Sequence, residues 1–334
     1  MRNANRRFLL RARPTGLAGP EHFQEDAVAI RPPAPGEVLL ETLYVSVDPA
    51  MRVWISENPG YVQRIEPGDV MRAGGLARVL ESTDPAYAPG DLVLARTGWQ
   101  SHPTVPAADL QKLPPGAAPT DWLSVLGTTG LTAYFGMRDV GQVKPGETVL
   151  VSGAAGGVGQ IAGQVARIEA CRVIGIAGGP EKCAYLTNEL GFAAAIDHKA
   201  EPDLAAAIAR AAPEGIDVFF DNVGGATLDA ALANLRLRAR IAICGRISQT
   251  AATELYGVRN MGNLIGKRAR VEGFIVTDFE PRFPEGRAFL AAHLASGALR
   301  QRVHVLDGLE QAPAGLGLLF SGGNTGKLLV RVAG

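Results

Sequence analysis

The chain has 334 residues, with 33 basic and 33 acidic side chains, 41 glycines, 22 prolines and three cysteines, and 47% of it is hydrophobic. A length of about two ordinary domains with this apolar content supports substantial cores and excludes a disordered chain. Zero net charge offers no global field for nucleic acid or an anionic membrane, and Cys171, Cys183 and Cys244 are too scattered for a disulfide framework or a cysteine-rich zinc module, so a reducing, cytoplasmic setting is expected.

Residues 1–14 carry five arginines around the short apolar run Phe8, Leu9 and Leu10, too little for a signal-peptide core, and predict an edge strand. No window approaches the roughly 20 apolar residues that span a bilayer, so no membrane partner is expected. Up to about residue 120 the pattern is one of short strands, 37–47, 75–80 and one starting at 91 after the Pro89-Gly90 turn, with prolines throughout, which predicts a mostly β domain. Thr120 or Asp121 is placed to cap a helix bearing Trp122, Leu123 and Leu126, with Leu131, Tyr134 and Phe135 beyond a glycine-bearing interruption. Short apolar strands at 148–151, 172–176, 194–196, 217–220 and 241–243 then alternate with helices at 158–170, 181–190, 204–212 and 227–235, the last with Leu228, Leu232 and Leu235 on one face. Such continuous apolar strands require cover on both faces, so this half reads as a doubly wound parallel α/β sheet. A strand at 274–276, a helix at 287–299 and a β-rich tail at 303–332 that rejoins the first domain complete the expectation.

The strongest chemical signal is Val149-Leu150-Val151-Ser152-Gly153-Ala154-Ala155-Gly156-Gly157-Val158-Gly159, a strand entering a glycine-rich turn and an amphipathic helix. Small residues admit a pyrophosphate to the backbone, and the amides of the helix start attract its charge, so a dinucleotide is the natural ligand. Glycine turns also serve plain strand-to-helix packing, but this one opens a series of β/α units. The Lys-Ser/Thr pair of a triphosphate loop is missing, and a second glycine run ending in Gly326-Lys327 fails the same test because Leu328 follows. The second strand ends Ile174-Gly175-Ile176-Ala177-Gly178-Gly179, with no carboxylate to receive a ribose 2′-hydroxyl or repel a 2′-phosphate. Lys182 follows closely, which favours NADPH over NADH; its alternative role is an ordinary solvated helix position. Glu181 beside it reads as an exposed first-turn residue favoured by the helix dipole.

Five further segments occur in order: Asp48-Pro49-Ala50-Met51-Arg52, a run from Gly127-Thr128-Thr129-Gly130 to Gly136, Phe220-Asp221-Asn222-Val223-Gly224-Gly225, a run from Arg268 to Phe274, and Asn324-Thr325-Gly326-Lys327. Together with the glycine loop they resemble the zinc-independent medium-chain dehydrogenase/reductases of the prostaglandin (leukotriene) reductase and NADPH-dependent curcumin reductase family, over nearly the whole chain. The resemblance implies a GroES-like substrate domain at 1–125 completed by 300–334, a Rossmann NADP-binding domain at 126–299, the cofactor in the cleft between them, and a homodimer. It places the phosphate loop at Gly156, Gly157, Val158 and Gly159 and the 2′-phosphate lysine at Lys182. His198 matches a cofactor-contacting position, with a surface or capping histidine as its alternative. Asn222 matches a cofactor asparagine, though an Asx-turn would also suit it. Cys244, Gly245, Arg246, Ile247 and Ser248 fall where the dinucleotide passes, while Phe274, Ile275 and Val276 border the nicotinamide and Asn324 reaches in from the tail.

The implied reaction reduces the carbon–carbon double bond of α,β-unsaturated ketones and aldehydes, by hydride transfer to the β-carbon and protonation of the enolate at the α-carbon. The sequence departs from the family pattern where tyrosines are usual, at Ala50 and Thr250, and at Thr128-Thr129, where Met-Pro is usual; the loop at 256–265 also looks short. A differently shaped, wider substrate pocket is expected. No catalytic residue is assigned: Tyr256 and Tyr61 are candidate proton donors or substrate-lining groups, structural or surface roles are their alternatives, and solvent can supply the proton. Three isolated cysteines and five dispersed histidines do not suit metal-dependent alcohol oxidation, so no metal is expected. Quinone reduction on the same scaffold, and an NADPH-binding protein without useful reductase activity, are the competing readings.

Overall fold

A computed structural model of the chain describes residues 4–60, 62–114 and 118–333, so Tyr61 lies outside the described residues. Its packing divides the chain into two units, Met1–Leu123 with His304–Asn324 and Leu328–Gly334, and Ser124–Val303 with Thr325–Lys327. In the first unit proline and glycine keep the strands short: β1 (Ala4–Leu10), β2 (Phe23–Ala29), β3 (Glu37–Ser46), β4 (Gly75–Ser82), β5 (Leu92–Ala95), β6 (Thr104–Pro106) and β7 (Gln111–Lys112). β1 and β2 form an antiparallel ribbon, while β3 pairs antiparallel with β4 and with β6, β4 with β5, and β5 with β7. After β3, helix α1 (Ala50–Trp54) carries the buried Arg52, which donates to the carbonyls of Pro14 at 2.9 Å and Gly16 at 2.8 Å. The Asp-Pro-Ala-Met-Arg motif thus ties the amino-terminal loop to the unit's core of Leu10, Met51, Ile55, Met71 and Trp99. Helix α2 (Pro119–Trp122) is a single turn with Ala118, rather than Thr120 or Asp121, at its N-cap, because Pro119 supplies the first helical φ without needing an amide partner.

The second unit opens with α3 (Thr128–Phe135), extended by a π turn to Val140. It then alternates β8 (Thr148–Val151), α4 (Gly157–Ile168), β9 (Arg172–Ala177), α5 (Pro180–Ala184), β10 (Ala194–Asp197), α6 (Leu204–Ala211), β11 (Ile216–Asp221), α7 (Gly225–Leu232) and β12 (Leu235–Ile243). Short α8 (Ile247–Thr250) and α9 (Asn263–Lys267) precede β13 (Arg270–Gly273) and α10 (Phe283–Ala295). The six strands are parallel in the order β10-β9-β8-β11-β12-β13, the Rossmann arrangement. The chain winds outward from β8 on one side and resumes at β11 on the other, so the loops after β8 and β11 diverge at the point where such sheets receive ligands. Helix α4 is buried along most of its length, and a methyl on its Gly163 would lie 2.0 Å from the Phe192 ring.

Three expectations are corrected here. Leu235 opens β12 rather than closing the preceding helix, since Leu and Arg alternate with strand period from Leu235 to Arg238. The last strand of the parallel sheet is Arg270–Gly273 and not 274–276: Phe274 turns its ring onto Phe220, 6.2 Å between centroids at 71°. Helix α10 begins at Phe283 instead of 287, with Pro284 in its first turn.

The tail adds β14 (Val303–Asp307), α11 (Ala312–Ser321) and β15 (Lys327–Arg331). Glycines and Pro313 disguise α11 in the sequence, yet Pro313 occupies its first turn and a methyl on Gly315 would lie 3.2 Å from Leu306, so small residues there permit close packing. The tail strands complete the first unit's sheet in the order β14-β15-β3-β4-β5-β7. Among the described residues no helix is long and apolar enough to cross a membrane.

Candidate functional site

The glycine loop owes its shape to main-chain crowding. Gly153 has φ +56°, and a methyl on Gly159 would lie 2.3 Å from the Gly153 carbonyl oxygen and 2.8 Å from the Ala154 Cα, so no side chain fits there. Gly156 caps α4, whose start offers the amide-rich, positive end of a twelve-residue helix. From the tail, Gly326 bridges to Gly156 and donates its N–H to the Ala155 carbonyl at 2.7 Å. Only glycine fits at 326: φ is +76° and a Cβ would fall 2.0 Å from the Arg302 carbonyl oxygen. Thr129 and Lys327 flank Gly157, where a methyl would lie 3.3 Å from the Thr129 methyl and 3.4 Å from the Lys327 stem. Val158 is half-buried beside them.

Asn222 stands where three loops converge. Its amide Nδ2 donates to the Ser152 carbonyl at 2.7 Å and its backbone N–H to the Ser152 hydroxyl at 2.8 Å. A methyl on Gly153 would sit 3.5 Å from the Asn222 Cβ, and one on Gly245 3.2 Å from the Asn222 carbonyl oxygen. The loop after β12 is stitched to the loop after β11: Cys244 and Gly245 donate to the Asp221 carbonyl, Ile247 to that of Asn222, and the Ser248 amide and hydroxyl to that of Val223. Arg246 is exposed beside Gly224. Desolvation, and then the charge of Asp221, push the Cys244 thiol up to about 12, so it stays protonated and is no nucleophile at neutral pH.

A cationic corner lies at the end of β9. A methyl on Gly178 would meet His198 Nε2 at 2.9 Å and Lys199 Cε at 3.0 Å. Lys182, half-buried on α5, is lowered in pKa by desolvation and then by the charge of Lys199. His198, on the surface, is lowered by desolvation and by Lys199 and Lys182 against the opposing pull of Asp197. The Asp197 carboxylate accepts the amides of Gly179 at 2.8 Å and Lys199 at 3.0 Å, which holds its pKa down and commits it to the loop backbone. Two ammonium groups, with the charge of one felt at the other, suit a multiply charged anion. Lys199 was not singled out from the sequence; a second cation directly after His198 was its only signal.

The remaining candidates have surroundings of their own. Phe274 packs against Phe220 and would collide with a methyl on Gly136, while Ile275 and Val276 follow it half-buried. Asn324 is buried in the first unit. Tyr256 donates its hydroxyl to Asp229 at 2.9 Å, which raises its pKa, and Asp229 also accepts the amides of Arg259 and Asn260. Ser152 and Asp221, whose side chains bond to each other at 2.7 Å, were missed as functional groups, although a carboxylate ending the apolar run Val218-Phe219-Phe220 demands a partner.

The cradle, amide-rich helix start and cationic corner fit a phosphorylated dinucleotide. A zinc ion has no comparable fit: among the described residues no group of three or more His, Cys, Asp or Glu could hold a metal.

Two family models match the chain, one described as the N-terminal domain of oxidoreductase over residues 6–113 and one as zinc-binding dehydrogenase over residues 157–292. The NADPH-dependent curcumin reductase of Escherichia coli (strain K12) is 41% identical, with 99% of this chain and 97% of that protein covered. A 2-alkenal reductase (NADP(+)-dependent) of Nicotiana tabacum is 40% identical over 99% of this chain and 98% of its own. Among solved structures, CurA from Vibrio vulnificus in complex with NADPH matches with a TM-score of 0.94 at 38% identity, covering 98% of this chain and 99% of that one.

Proposed function

The chain belongs to the medium-chain dehydrogenase/reductases, in the family of the NADPH-dependent curcumin reductases and prostaglandin reductases, and from that membership we propose that it is an NADPH-dependent reductase of the carbon–carbon double bond of α,β-unsaturated aldehydes and ketones. The observation that carries the cofactor half of this reading is the gathering of His198 and Lys199 around Gly178, with Lys182 close enough to feel the charge of Lys199 and the Asp197 carboxylate turned onto backbone amides. The 2′-phosphate rests in that corner and the pyrophosphate on Gly156, Gly157, Val158 and Gly159. Asn222 and the 244–248 loop border the cofactor along the carboxyl ends of the strands, and Phe274, Ile275 and Val276 approach its nicotinamide end.

Bound NADPH supplies the hydride for the β-carbon, and the α-carbon takes a proton. The chain's residues hold and orient the reacting partners, and a preorganised site acts on charge that develops at the carbonyl oxygen. Tyr256, whose hydroxyl donates to Asp229, takes a structural role in this reading. The protein acts as a homodimer. Support comes from β13, which ends the six-stranded sheet with all four residues exposed, the apolar Val271 among them, and from the exposed Ile265 that precedes it. The free cysteines Cys171, Cys183 and Cys244 support a cytoplasmic setting.

The test is to incubate the protein with NADPH or NADH and a panel of enals, enones and quinones, following nicotinamide absorbance and identifying products by mass. Saturated carbonyl products formed with NADPH are expected. Hydroquinones alone would make it a quinone reductase, and cofactor binding without turnover a binding protein.

A further inference from the structure

We propose that Asp221 is a positioning residue for the cofactor: through Ser152 it fixes Asn222 and the glycine loop in register without itself touching the dinucleotide. The inference rests on the reading that NADPH lies along the carboxyl ends of β8 and β11.

Asp221 is fully buried at the last position of β11, directly after Phe219 and Phe220, where an apolar residue would complete the packing. Its carboxylate instead collects donors. Oδ1 accepts the Ser152 hydroxyl at 2.7 Å and the amides of Val223 at 2.9 Å and Gly224 at 3.0 Å, and Oδ2 accepts the Gly224 amide at 3.1 Å. The Ser152 oxygen, with its proton given to Asp221, is left to accept, and what it accepts is the Asn222 amide at 2.8 Å. The Asp221 carbonyl accepts Cys244 at 2.8 Å and Gly245 at 3.0 Å. One residue therefore sets the loops after β8 and β11 through its side chain and the loop after β12 through its main chain.

A buried carboxylate is costly unless every lone pair it offers is used. An apolar residue of similar size would strand the Ser152 hydroxyl and two amides, so the acid is tied to the loop geometry rather than to core packing. Asn222, seated between Gly153 and Gly245, inherits its place from this network.

The experiment compares Ser152→Ala, Asp221→Asn and the double variant. Ser152→Ala removes the relay and leaves Asp221 its backbone donors. Asp221→Asn keeps one acceptor oxygen and sets an NH₂ against the Gly224 amide. Dissociation constants for NADPH and NADH are measured by nicotinamide fluorescence, alongside the melting temperatures of the cofactor-free proteins. Ser152→Ala should weaken both cofactors by the same factor, about tenfold, Asp221→Asn by more, and the double variant by no more than Asp221→Asn. Lys182→Ala, in contrast, should weaken NADPH alone. Constants within twofold of wild type overturn the proposal, as do a lowered melting temperature without a change in binding, multiplicative effects in the double variant, or a loss confined to NADPH. If Asp221→Asn fails to fold, Ser152→Ala decides by the same criteria. A wild-type protein that binds neither nucleotide overturns the underlying reading and the proposal with it.

Discussion

The loops that leave the parallel sheet and the segment that follows them differ in how far they are enclosed. From Ser152 to Gly159, at 221–224 and at 244–248, position is set by hydrogen bonds to main chain and by glycines with no room for a methyl. Residues 251–273 are held from one side, where Asp229 gathers Tyr256, Arg259 and Asn260, while Leu255, Met261 and Ile265 stand 69%, 48% and 83% exposed. Backbone-directed bonding fixes a site whose ligand never varies in shape, such as a pyrophosphate. Side-chain exposure leaves a surface free to be refitted, and this stretch begins directly after Thr250, which stands where the family has tyrosine.

The contrast is sharpest at Gly159. Gly159→Ala places a methyl into the Gly153 carbonyl and should weaken NADPH and NADH by roughly a hundredfold or more, read by fluorescence titration on protein whose circular dichroism is unchanged. A hundredfold loss confined to one nucleotide would break the argument. At the cationic corner, Lys182→Ala should raise the Michaelis constant for NADPH by about tenfold or more with NADH unaltered, and Lys199→Ala should do the same more weakly. Equal effects on both nucleotides would detach this corner from the 2′-phosphate.

A smaller effect follows from the lowered pKa of Lys182. Its charge is present below the folded value and lost as pH rises through it, so NADPH affinity should decline several-fold at a pH lower than an ordinary lysine would give. Binding constants across the alkaline range should show the decline for NADPH, not for NADH, and not in Lys182→Arg, whose guanidinium stays charged. Least of all should Tyr256→Phe change turnover: kcat within twofold of wild type is expected, with a slightly lower melting temperature from the lost bond to Asp229. A large fall in kcat would restore Tyr256 as a proton donor.

Much of the fold was legible from residue pattern. Apolar runs such as Val149-Leu150-Val151 and Val218-Phe219-Phe220 announce buried parallel strands because only those lack a polar face. The boundaries that moved did so for local reasons: Pro284 starts α10 early, alternating Leu and Arg extend β12 backward, and glycines hide α11. Tyr256 illustrates the limit, since no spacing reveals that its hydroxyl is bound to Asp229, 27 residues away.

By itself the sequence determined what depends on neighbouring residues: a glycine turn with space for phosphate, a strand end without a carboxylate, a nearby lysine. These are matters of local sterics and charge, written in a few consecutive positions. Tertiary structure decided the rest. It brought Asp221 to Ser152 across 69 positions, Lys199 within reach of Lys182, and Gly326 onto Ala155 from the far end of the chain. The physical reason is that strand order, not hydrophobic pattern, chooses which loop ends meet, and a buried polar group gains its meaning only from the partner placed beside it.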